Sequence, residues 1–296
     1  MYNENVKIKK GESVVKRILA TFVCILTVVM LLASCKNTTN DLKCIDIHLT
    51  SEEYAFAVNK NDDELLNAAN ELLNTIKADG TLDTIINKYF SNDISKIKTF
   101  DGGEELPCKE QLVVATHLPF SPFEYMIGDR YCGIDMEIAG LLAKKLDREL
   151  VIKEYGFDEI ISAVENEEAD IVMAALTVSN DRLEKIAFTN SYFEASQIIV
   201  SKKTDTTFDN CKTTDDVVNI LKKMNKSTKI GYQKDTVSGY YVCGNQKMGF
   251  IGFNTSNIGY NSAYDAAKDL KNGKLDYIIV DSGPAKMIVN QLNQEK

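Results

Sequence analysis

From Gln111 onward, short apolar runs alternate with segments of helical period. QLVVATH (111–117), ELVIKEY (149–155), DIVMAAL (170–176) and SQIIVSK (196–202) have strand length and are too densely apolar for a sheet with one wet face. Between them, Asp135 to Leu146 and Asp158 to Val164 carry apolar residues at three- and four-residue spacing, which predicts helices. Further on, helices are expected near 213–224, from Ser262 to Lys271 and from Pro284 to Leu292. Strands are expected at 229–232, 250–253 and 275–280. This alternation predicts an α/β chain with mostly parallel sheets covered on both faces. The stretch 203–213, rich in Thr, Asp and Lys, reads as a boundary between two such units. Two α/β lobes leave a cleft between them, a preferred location for ligands.

Upstream, DDELLNAANELLNTIKA (62–78) places Leu65, Leu66, Ala69, Leu72, Leu73 and Ile76 on one helical face, opened by acidic residues and closed by Gly80. A second amphipathic helix follows through Leu82, Ile85, Ile86, Tyr89 and Phe90, with Thr81 as its expected N-cap. Residues 96–107 show no period, contain Gly102-Gly103 and Pro107, and read as a linker.

The chain opens with Lys7, Lys9, Lys10, Lys16 and Arg17, then an uncharged, mostly apolar run from Ile18 to Ser34. A basic region followed by an apolar one is an export signal. Its end, Leu32-Ala33-Ser34-Cys35, resembles a bacterial lipobox, in which the Cys is lipidated and becomes the new N-terminus. The alternative is an uncleaved membrane anchor, for which the run is short. Either reading puts the folded part outside the cytoplasm. The expectation is a lipid anchor at Cys35, on the outer face of the bacterial cytoplasmic membrane or in the periplasm.

Composition narrows the chemistry. The net charge of −9 disfavours nucleic-acid binding, which needs a basic face. Two His in 296 residues make a multi-histidine metal site a poor expectation, and no cofactor is implied. Beyond Cys24 and Cys35, the five remaining cysteines show no CxxC spacing; a Cys211–Cys243 bridge is conceivable, with free thiols as the default.

LVVATHLPFSPFEY, YCGIDMEIAGLLAKKL, FDEIISAVENEEADIVMAALTVSNDRLEKIAFTNSYF, KIGYQKDTVSGYYV and KLDYIIVDSGPA, in that order, resemble the amino-acid family of extracellular solute-binding proteins of ABC transporters. The resemblance implies a two-lobed, periplasmic-binding-protein-like (type II) fold with a hinge and an interlobe cleft. In that family the chain ends with a crossing strand and two helices, shaped like EEYAFAVNKND and ELLNAANELLNTIKADGTLDTIINKYF. Here those segments stand at 52–90, ahead of the family's usual beginning. The order therefore implies a circular permutation: signal peptide 1–34, tether 35–43, permuted tail 44–95, linker 96–107, lobe one 108–198 and lobe two 199–296. A linker of about a dozen residues, at up to ~3.5 Å each, can join the family's ordinary termini. The remnant of a deleted tandem copy and a swapped dimer are the alternatives to a permuted monomer. The permutation predicts that 44–49 pairs beside lobe two and that 54–59 runs back beside lobe one.

The resemblance also assigns a site. Arg182 matches the arginine that forks onto a ligand carboxylate, a geometry Lys cannot reproduce. Thr177, just past a strand and near an expected helix start, stands where backbone N–H groups can also face an anion; Thr236 and Val237 match a turn whose N–H groups bind that carboxylate, although Asp235 and Val237 stand where glycine is common. Asp281 and the Ala175 carbonyl match acceptors for the ligand ammonium; Asp281 could equally cap the helix that follows. Phe120 and Phe157 match aromatic walls, whereas Phe123 and Tyr125 read as packing. His117 and Gln233 fall at positions that read the ligand side chain, and His117 could equally be structural. No Asp or Glu is evident at that end, which points away from arginine and lysine and toward a neutral polar or sulfur-containing amino acid. The implied partners are a free amino acid and a membrane permease. An enzyme resembling cyclohexadienyl dehydratase and an amino-acid-sensing subunit are the competing functions.

Overall fold

The computed structural model describes residues 40–91, 94–106 and 110–295. The leader 1–34, Cys35, the tether through Thr39, Pro107 and Cys108 lie outside the described residues.

The described chain begins with β1 (Leu42–Ile45), β2 (Glu52–Tyr54), β3 (Ala57–Asn59), α1 (Asp63–Ala78), α2 (Thr81–Phe90) and β4 (Thr99–Phe100). Then come β5 (Gln111–Thr116), the hairpin β6 (Tyr125–Ile127) and β7 (Arg130–Cys132), α3 (Ile134–Leu146), β8 (Glu149–Glu154), α4 (Ile160–Glu165), β9 (Ile171–Val172), α5 (Asn180–Leu183), β10 (Ile186–Phe188) and β11 (Phe193–Ala195). The remainder is β12 (Gln197–Lys202), α6 (Thr214–Leu221), β13 (Lys229–Gln233), α7 (Val237–Cys243), β14 (Ser256–Tyr260), α8 (Ala263–Lys271), β15 (Tyr277–Asp281) and α9 (Ser282–Gln294).

Two five-stranded sheets organise two lobes, in the orders β10-β3-β9-β5-β8 and β1-β12-β15-β13-β14. Each is mixed rather than mostly parallel. The crossing strands β3 and β12 pair antiparallel on both sides, while β5 with β8 and β9, and β13 with β14 and β15, are parallel. Alternation along each strand assigns the faces. Leu112 and Val114 join the core with α1, α2 and α3, while Val113 and Ala115 pack with Ile160 and Val164 of α4. In β12, Ile198 and Val200 face α8 and α9, and Ile199 faces α6 and α7. Both sheets are thus buried on two sides, which is why their strands lack polar alternation.

Residues 40–91 are not an appendage. Strand β1 pairs with β12 at the edge of the second sheet, and β3 lies between β9 and β10 in the first. Helix α1 buries Leu65, Ala69, Leu72, Leu73 and Ile76, and the Asp62 carboxylate caps it by accepting from the Leu65 amide at 2.9 Å. The chain passes between the lobes twice among the described residues. Both passages meet in one two-stranded ribbon, β2 antiparallel to β11, with Tyr54 opposite Phe193 and Glu52 opposite Ala195.

Several local expectations are corrected. The linker contributes β4, which pairs with β7. Gly80, not Thr81, is the N-cap of α2, and Thr81 is its first helical residue. Strand β12 begins two residues before the expected lobe boundary at 199, and 203–213 lies beyond it as a loop within the second lobe. DIVMAAL forms strand only at Ile171–Val172, because the Ala175 amide donates to the Asp135 carboxylate and Ala175 turns to φ +46°. The strand expected at 250–253 lies instead at Ser256–Tyr260. Gly252 holds φ +70°, and an added Cβ there would stand 2.6 Å from the backbone of Cys243 and Gly244. That stretch is a turn pressed against α7, and only glycine fits it. Among the described residues, Cys44, Cys132, Cys211 and Cys243 are free thiols.

Candidate functional site

All ten residues nominated from the sequence line one cavity between the lobes: His117, Phe120, Phe157, Ala175, Thr177, Arg182, Gln233, Thr236, Val237 and Asp281. Tyr54, Glu124 and Ala174, which sequence reasoning missed, complete the wall.

Arg182 sits on α5, whose N-cap Ser179 hydroxyl accepts from the Arg182 amide. Its guanidinium is buried, donates to the Thr177 carbonyl at 2.7 Å, and reaches the Asp235 carbonyl of the other lobe at 3.2 Å. It lies 5.6 Å from the Phe157 ring centroid, so Phe157 is first a platform for the arginine. Two of its five N–H donors are engaged, leaving a fork for a carboxylate. Asp235 holds φ +61°, so the turn before Thr236 keeps the left-handed backbone that glycine adopts elsewhere, and Asp tolerates it. The Thr236 hydroxyl donates to the Gln233 carbonyl at 2.7 Å and lies 2.6 Å from Ser238 Oγ.

Asp281 ends β15, at the carboxyl edge of the second sheet. It does not cap α9 with its side chain. Instead, Oδ1 accepts from Tyr54 Oη at 2.5 Å and from Gln197 Nε2 at 2.9 Å. Glu52 stands behind it, accepting from Thr50, Gln197 and Thr177. Burial raises the Asp281 carboxyl to about 7, and the Glu52 charge adds to that effect. Asp135, equally buried, is also raised to about 7 and accepts from the Ala175 amide and Tyr192 Oη. It therefore fixes the turn that presents Ala175.

His117 Nδ1 lies 2.9 Å from the Tyr155 carbonyl, and its ring meets Phe157 edge-on at 5.7 Å. Phe123 is fully buried packing, as its position implied. Glu124 corrects the expectation that no carboxylate stands near the ligand side chain: it is buried on the cavity wall. In SPFEY the acid stands between two aromatics, and the Phe120 and Glu124 backbones pair through two hydrogen bonds. Tyr54 was missed because it lies 227 residues from its partner Asp281 in sequence.

The lobes also touch at the rim, where Lys247 Nζ meets Asp181 Oδ1 at 2.7 Å. Among the described residues, no helix is long and apolar enough to cross a membrane, and no group of three or more His, Cys, Asp or Glu side chains could hold a metal ion.

The model of bacterial extracellular solute-binding proteins, family 3, matches residues 2–92 and 112–238. The chain belongs to this family. The solute-binding protein is 28% identical over 173 residues to the arginine-binding extracellular protein ArtP of Bacillus subtilis (strain 168), covering 58% of this chain and 62% of that one. It is 28% identical over 170 residues to a probable histidine-binding protein of Neisseria gonorrhoeae, covering 57% and 58%. A solved structure of an ancestral arginine-binding protein bound to arginine is 28% identical with a TM-score of 0.53, covering 62% of this chain and 75% of that one. The chain thus spans about three fifths of the length of the curated relatives it matches.

Proposed function

We propose that this solute-binding protein captures a free α-amino acid between its lobes and hands it to an ABC importer permease, without catalysing a reaction. The observation that carries the reading is a buried guanidinium, Arg182, and a buried carboxylate, Asp281, from opposite lobes on the wall of one cavity. Arg182, with the Thr177, Thr236 and Val237 backbone, holds the carboxylate; Asp281 and the Ala175 carbonyl hold the ammonium. Contacts from both lobes make the ligand favour the closed arrangement. A lipid at Cys35 keeps the protein beside its permease, and the chain is a permuted monomer, with residues 44–95 supplying the family's usual tail. Three things support that order: the placement of β1 and β3, the two separate stretches matched by the family model, and linear coverage that stops near three fifths of each relative.

A thermal-shift panel of the twenty amino acids tests the reading. One or a few should stabilise the protein strongly; turnover of prephenate or arogenate would replace it with the enzyme.

A pH dependence follows. A ligand ammonium needs ionised Asp281, whose carboxyl is raised to about 7 by burial. Affinity should fall about tenfold per pH unit below ~7 and level off above it, as read by titration calorimetry between pH 5 and 8.5. Folding stability without added amino acid should follow the opposite trend. A carboxyl raised on folding binds its proton more tightly in the native state, so stability falls as pH rises from the ordinary carboxylate range toward 7.

A further inference from the structure

The names of the relatives agree on amino acids and differ in the side chain, which includes arginine, histidine and L-cystine. The cavity itself is more specific. Three of its buried polar atoms have no hydrogen-bond partner among the described residues: His117 Nε2, Glu124 Oε2 and Gln233 Oε1. The Tyr155 carbonyl can only accept, so His117 carries a proton on Nδ1, and the tautomer with that proton alone presents Nε2 as an acceptor. Gln233 Oε1 is an acceptor as well, and Glu124 Oε2 becomes one once a ligand cation beside it stabilises the carboxylate. Unpartnered buried acceptors call for donors, and here two lobes supply them to one volume.

The charges point the same way. The wall holds Glu124 and Asp281 against Arg182. The carboxylate and ammonium of an amino acid match Arg182 and Asp281, which leaves Glu124 without a positive partner. Burial, with Asp135 and Asp281 nearby, holds its carboxyl well above the usual range. That is how an uncompensated acid responds.

We infer, resting on the amino-acid reading above, that the ligand carries a cationic side chain rich in N–H donors, a guanidinium foremost, with His117 and Gln233 as specificity-determining acceptors and Glu124 as the balancing charge. A guanidinium brings five donors and one positive charge, whereas an amide brings fewer donors, no charge and an acceptor of its own. Phe120 on the same wall supplies an aromatic ring, which attracts a cation.

Calorimetric titration of the full chain with L-arginine, L-citrulline and L-glutamine at pH 7.5 tests this. Citrulline keeps the shape of arginine but replaces the guanidinium by a neutral urea. Arginine should bind about 100-fold more tightly than citrulline or glutamine. In Glu124→Gln the arginine-to-citrulline ratio should shrink to about tenfold or less, as expected for the loss of one charged partner; a ratio unchanged in a folded variant overturns the role of Glu124. Citrulline within about threefold of arginine in the unaltered protein, or any neutral or acidic amino acid binding more tightly than arginine, overturns the inference while leaving amino-acid capture intact. Failure of all twenty amino acids to bind overturns both.

Discussion

Arg182→Ala is expected to weaken amino-acid binding by at least ~100-fold, about 3 kcal/mol, with the protein still folded. The guanidinium is the one buried cation on the cavity wall, and it already spans the lobes through the Thr177 and Asp235 carbonyls. Its removal strips the ligand carboxylate of charge-assisted donors in a buried setting. It also removes a contact between the halves, so closure itself is disfavoured. Arg182→Lys should recover little, because an ammonium offers a point charge in place of a planar fork. Calorimetry reads the affinity, and circular dichroism confirms the fold. Near-normal affinity in a folded Arg182→Ala protein would place the carboxylate elsewhere.

The second large effect concerns chain order. Deleting residues 40–91 should abolish cooperative folding. It removes β3 from the interior of the first sheet, and with it Leu73, Ile85 and Tyr89 from the core over one face. Moving the same segment behind Glu295 should preserve both folding and affinity, the latter within about threefold, since the core and cavity contacts are unchanged. The geometry favours the join: the Leu42 amide donates to Asn293 Oδ1 at 2.8 Å, and Asn293 Nδ2 donates to the Leu42 carbonyl at 3.0 Å. The end of α9 therefore lies beside the start of β1, and a few residues suffice to connect them. A reordered protein that fails to fold, or that loses its ligand, would contradict the permutation. Cross-complementation between separate molecules would instead reveal a swapped dimer.

Most of this architecture was legible because it rests on burial. Leu65 through Ile76 repeat at the helical period, and Ile198, Ile199 and Val200 are apolar in succession because both faces of their sheet are covered. Features set by single backbone angles were harder to read. Nothing in FIGF announces that Gly252 must turn against α7, and Ala175 leaves its strand for a carboxylate 40 residues away. Within the site, the charged and aromatic positions were legible through motif spacing. Glu124 and Tyr54 were not, because their roles depend on what the fold places opposite them: the interlobe cavity for one, Asp281 for the other.

The ribbon of β2 and β11 has a consequence for tuning. Glu53 and Glu194 face each other across it, both exposed, and like charges directly opposed weaken a strand pair. The spine about which the halves fold is thus sprung by electrostatic repulsion at a point remote from the solute. Ionic strength or a neutralising change there alters how often the molecule stands ready to bind, and so resets apparent affinity without touching the pocket.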